Sequence, residues 1–133
     1  MSVEKNMTKY ERLKQAMLKL AVKKKIKKLG YKIVAYDYIT RNRIIDFVCL
    51  DEKNKQLVFI ILIIKKTSDF VENVISMEKN YMKTNIVEEM EWFKKSHNLN
   101  EYEVRLDGIE GYVGTKTVKM KYHKNILNNR KVC

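Results

Sequence analysis

The sequence predicts an α/β fold, a mixed central sheet of about five strands flanked by helices. Three observations carry this prediction. Helical apolar spacing over residues 8–29 gives way after Gly30 to alternating segments rich in β-branched and aromatic residues. A nearly continuous apolar run at 57–64 marks a strand that needs cover on both faces. Helical spacing then returns over 69–97, followed by two more strand-like segments. With 133 residues the chain can build one core but hardly two. Its 45% apolar and 33% charged residues can fill and cover that core, which excludes a wholly disordered chain.

The first helix carries Leu13, Met17, Leu20, Ala21 and Ile26 as its apolar face, with Lys and Arg at most intervening positions. Thr8 and Glu11 have capping-box spacing, and Gly30 stands where a C-cap belongs. YKIVAYDYI, RIIDFVCL and QLVFIILII read as three successive strands. DEKNK is the polar turn of an antiparallel hairpin between the second and third, and the third is central. Val71, Val74, Ile75, Met82, Ile86, Met90 and Phe93 then recur three or four apart, as one long helix or two. EYEVRLDGI supplies a fourth strand and GYVGTKTVKMKYH a fifth. The expected organisation is one domain over 1–122 and a basic tail over 123–133. A helix, a three-strand meander, a helix and further strands place a mixed sheet between helices.

Twenty-eight Lys and Arg against 16 Asp and Glu give a net charge of +12, which attracts polyanions. Nucleic acid is the leading partner class; a compositional bias toward Lys, Ile, Asn and Tyr is the alternative. Lys23, Lys24, Lys25, Lys27 and Lys28 are too dense to share one helix face. They form either a solvated surface or a phosphate-contacting patch, which Arg41, Arg43, Lys65 and Lys66 would extend. Tyr31, Tyr36 and Tyr38 suit base stacking or ordinary strand packing, with packing favoured. Trp92 and Phe93 read as core or interface, and His97 and His123 as surface residues without metal-ligand spacing. Cys49 and Cys133 fit no disulfide or zinc pattern and are expected as reduced thiols. MSVEKNMTKYERLK has no apolar signal core and the run at 57–64 is too short to span a bilayer, so a cytoplasmic protein without a membrane partner is expected.

A set of segments between Leu20 and Val113 carries a resemblance. They are LAVKKKIKKLGYKIV, RIIDFVCL, LVFIILIIKK, SMEK and VRLDGI, in that order and near-matching spacing. Together they resemble the bacterial YraN-like family of the PD-(D/E)XK, or restriction-endonuclease-like, superfamily, with a hairpin turn about two residues longer than usual. The resemblance implies a restriction-endonuclease-like fold. In an intact member, a strand Asp and the Glu of a Glu-X-Lys motif bind a hard divalent cation while the Lys acts on water. Asp46 matches that Asp, but Ile61 stands at the Glu position and Ile63 at the Lys position. Ile44 and Arg43 replace the family's Glu and Gly upstream of Asp46, and Lys19 aligns with the first-helix Glu.

One carboxylate cannot build the usual metal site. The resemblance therefore implies a catalytically defective nuclease-fold protein that binds DNA or structured nucleic acid, with no catalytic residue and no bound metal. Asp46 is then either a residual ligand or a carboxylate paired with a Lys. Sliding the motif to use Lys65 still leaves no acid, because Ile63 then takes the Glu position. One alternative is a Mg²⁺-dependent nuclease in which Asp37, Glu72 or Asp107 joins Asp46. Another is an interaction module dimerising through the apolar strand or the helix around Trp92, without nucleic acid.

Overall fold

A computed structural model describes residues 8–41, 44–65 and 86–127. Thr8 opens helix α1 (Lys9–Lys28). Its hydroxyl accepts from the Glu11 amide at 3.1 Å while the Glu11 carboxylate accepts from the Thr8 amide at 3.1 Å, closing the expected capping box. Lys25, Lys27 and Lys28 fill the last turn, where positive charge suits the helix dipole. The chain leaves through Gly30, whose φ of +86° is the left-handed conformation that glycine adopts without steric cost.

Three of the five strands follow their predicted segments closely: β1 (Lys32–Ile39), β2 (Ile44–Asp51) and β3 (Gln56–Ile64); β5 (Val118–His123) keeps only the last six residues of its predicted segment. The polar turn between β2 and β3 is held by Asp51, which accepts from the backbone amide of Asn54 at 3.3 Å and from its side-chain amide at 2.8 Å. Strand β4 (Glu103–Val113) runs further than expected and takes up Gly111, Tyr112 and Val113; the turn to β5 starts at Gly114, whose amide donates to the Thr117 carbonyl at 2.8 Å. Of the long helical pattern, helix α2 (Ile86–Ser96) lies within the described residues; Val71, Val74, Ile75 and Met82 lie outside them.

The strands form one mixed sheet in the order β1-β2-β3-β4-β5, parallel between β3 and β4 and antiparallel elsewhere. Strand β3 is central. Its alternation serves two cores: Val58 and Ile60 pack with Leu18, Val22 and Ile26 of α1, while Leu57, Phe59 and Ile61 pack with Ile86, Met90 and Phe93 of α2. Among the described residues the fold is thus α/β, a five-stranded mixed sheet with one helix on each face.

Three expectations change. The face of α1 that enters the core is Leu18, Val22 and Ile26, whereas Leu13, Met17 and Leu20 are exposed. The helix carries two apolar stripes, and spacing alone does not say which one meets the sheet. Gly111 says so in three dimensions: a Cβ there would lie 2.5 Å from the Leu18 methyls, so the missing side chain is what lets Leu18 settle on β4. Packing also continues past residue 122. His123, expected at the surface, is buried, as is Ile126, whose amide donates to the Leu106 carbonyl at 2.8 Å. On α2, Phe93 is core and Trp92 is exposed. Among the described residues, no helix is long and apolar enough to cross a membrane.

Candidate functional site

Two irregularities in the outer strands create the site. In β1 the register against β2 slips around Val34, and Asp37 adopts a left-handed backbone (φ +46°), a conformation Asp tolerates better than most residues. Tyr36 pairs with Phe47 and Tyr38 with Ile45, so Asp37 stands opposite Asp46 across the two strands. The twist at Asp37 leaves it beside Tyr36 on the α1 side, where regular alternation would send it to the other face.

On the other side of β2, the pairing with β3 runs from Asp51 and Gln56 to Phe47 and Ile60 and ends there. Asp46 takes over: its Oδ2 accepts from the Leu62 amide at 2.7 Å, satisfying a donor the ladder leaves open. The result is a cavity of about 250 Å³ between α1 and the β1–β2 edge, lined by Lys19, Leu20, Lys23, Tyr36, Asp37 and Asp46.

Charge in the cavity is arranged in opposition. Lys19 Nζ lies 3.3 Å from Asp37 Oδ1, and Lys23 holds its ammonium 5.3 Å from the centre of the Tyr36 ring, which meets Phe47 edge-on. Burial pushes the Asp46 carboxyl up to about 6; the Leu62 amide and the Lys19 charge pull it down, and the Asp37 charge adds to the rise. Two carboxylates and two ammonium groups therefore share a small space in which one acid is poised to take up a proton near neutrality.

The isoleucines at the Glu-X-Lys positions do not surround Asp46. Ile61 and Ile63 belong to the core under α2, on the opposite face of the sheet, and Ile44 is exposed. The residues of β3 that pack on the α1 side are Val58, Ile60 and Leu62. Asp46, Asp37 and Lys19 are brought together instead. Asp37 is one of the three carboxylates that the sequence offers as partners for Asp46, and Lys19 stands where the resembling family has its first-helix Glu. The signal in the sequence is the charged, weakly strand-forming Asp within the run Tyr36-Asp37-Tyr38.

The other acids are committed elsewhere. Asp107 is fully buried: Arg105 donates to both its oxygens at 2.9 Å, the Asn125 amide donates to Oδ1 at 2.7 Å, and the Tyr122 hydroxyl donates to Oδ2. Arg105 in turn donates to the Tyr31 hydroxyl at 2.8 Å and to the Gln56 side chain, so this pair is a satisfied structural network. Burial, with the Asp107 charge, pushes the Cys49 thiol up to about 12, leaving it inert. Glu72 and Cys133 lie outside the described residues.

The expected basic patch is divided. Lys24, Lys25, Lys27 and Lys28 are exposed on the last two turns of α1, with Lys23 half-buried beside them. Arg41 belongs to the α2 side: its amide donates to Glu89 Oε1 at 2.9 Å and its guanidinium lies 3.9 Å from the same oxygen. Lys65 is drawn to the buried Glu110 at 3.6 Å, and Glu110 also meets His123 at 2.6 Å. Arg43 and Lys66 lie outside the described residues. Among the described residues, no group of three or more His, Cys, Asp or Glu is arranged to hold a metal ion.

Searches with this sequence match no protein-family model and no curated protein.

Proposed function

We propose that the protein binds nucleic acid, DNA foremost, by gripping backbone phosphates with the C-terminal half of α1, and that it does not cut what it binds. The observation that carries this reading is the set of four exposed lysines, Lys24, Lys25, Lys27 and Lys28, none of which has an ion-pair partner among the described residues. Ammonium groups gathered around the last turns of a rigid helix suit the phosphates of a backbone, and they position a duplex without reading its sequence. The net charge of +12 favours encounter. The resemblance to a nuclease family in which Ile61 and Ile63 stand at the catalytic positions supports binding without hydrolysis.

Fluorescence anisotropy with linear and branched DNA over a salt series tests this. Four phosphate contacts would give log K against log salt a slope of about −3.6, and replacing the four lysines by Gln should flatten it by about that amount. No binding at low salt would remove the proposal.

The position of Asp37 opposite Asp46 favours a second reading, a divalent-cation site. The oxygens left after the Leu62 and Lys19 contacts are hard ligands of the type Mg²⁺ takes. Against it, Lys19 and Lys23 already balance the two carboxylates. Incubation of supercoiled DNA with Mg²⁺ or Mn²⁺ separates the readings: cleavage lost in both Asp46→Asn and Asp37→Asn would establish the cation site, and intact DNA supports binding alone.

A further inference from the structure

Tyr10, Leu13, Met17 and Leu20 are exposed by 59, 58, 44 and 61%, respectively. They recur at three, four and three residues along α1. At 100° per residue Leu20 lies about 200° round the helix from Leu18, so this stripe runs along the side opposite the sheet. Its spacing is that of the a and d positions of a two-helix seam. The same register continues into Lys24 and Lys27, which end the apolar part after three turns.

The positions flanking the seam are Lys9, Lys14, Ala16, Ala21, Lys23 and Lys28. None is acidic, and Glu11, the acid of this helix, lies off the seam. Lys14 holds its ammonium 4.5 Å from the centre of the Tyr10 ring, at the edge of the stripe. A second copy of α1, parallel or antiparallel, would set lysine against lysine. The acidic helix α2 of another copy offers Val87 and Trp92, five residues apart, which is no seam. Lipid is a poorer match than a helix, because interfacial helices present a broad apolar face while this stripe is a narrow file with small residues beside it that allow close approach.

We infer that the outer face of α1 docks an acidic amphipathic helix of another protein, with apolar residues at a and d meeting Tyr10, Leu13, Met17 and Leu20, and Glu or Asp at the flanks meeting Lys9, Lys14, Lys23 and Lys28. This surface is separate from nucleic-acid binding in its apolar residues and stands without it.

The test uses the full chain and a fluorescent designed peptide of four heptads with Leu at a and d and Glu at e and g. Controls are a scrambled peptide of the same composition, the peptide with Lys at e and g, and vesicles of phosphatidylglycerol. The acidic peptide alone should bind at about 0.1 M salt. Leu13→Ser with Met17→Ser, both at exposed positions outside the cavity under α1, should weaken it about tenfold or more while helicity and DNA binding persist. Equal binding of the scrambled peptide, unchanged affinity in the double variant, vesicle binding abolished by the same variant, or a dimer by sedimentation that the variant dissolves would each overturn the inference.

Discussion

Asp46 is held by one backbone amide and buried among groups that disagree about its charge. A carboxyl raised from 3.8 to about 6 keeps its proton more firmly in the folded chain than in the unfolded one, so its contribution favours folding at low pH and is lost as pH rises toward 6. Asp46→Asn retains an oxygen for the Leu62 amide and removes the titration. Discounting for the site's partial contact with water, we expect the variant to gain about 1–2 kcal/mol above pH 7 and nothing below about pH 4, read from melting temperatures across that range. The Arg105–Asp107 pair should behave oppositely. Asp107→Ala strands a buried guanidinium and should cost about 3–5 kcal/mol by urea denaturation, much of it recovered when Arg105→Met is added. At this scale the sequence was half legible. Asp46 stood out as the acid of an apolar strand, whereas the partnership of Asp37 depended on a left-handed backbone that breaks the alternation by which facing is read.

Element identity follows from period, and the change of period at Gly30 is legible in the sequence. Facing was harder. Helix α1 is apolar on two sides, and the choice between them is made by Gly111 on a distant strand, a contact that spacing along the helix cannot contain. Gly111→Ala should therefore cost about 1–3 kcal/mol by overpacking Leu18, and should cost less in a Leu18→Ala background, where the new methyl has room. Double-mutant chemical denaturation checks both. Strand β4 likewise outruns its predicted segment: Gly111, assigned by pattern to the next strand, serves in β4 as the place where the Leu18 side chain comes close.

For the whole molecule, the mixed sheet follows from connection lengths: four polar residues can only reverse the chain between β2 and β3, while the long stretch between β3 and β4 allows a parallel crossover. The excess of positive charge acts on the compact state as self-repulsion, so melting temperature should rise modestly as salt increases to about 0.2 M, in contrast to the loss of DNA affinity over the same interval. Charge was fully legible; which basic residues meet an acid was not, because Glu89 and Glu110 meet Arg41 and Lys65 only across the fold. The two-sided α1 has a kinetic consequence as well. A collapsing chain can seat this helix on the nascent sheet by either stripe, and the inverted seating must be undone before Leu18 finds its notch. Refolding should accordingly show a slow phase that Leu13→Gln with Leu20→Gln removes while equilibrium stability stays within about 0.5 kcal/mol, a stopped-flow signature of an apolar face that the native fold keeps out of its core.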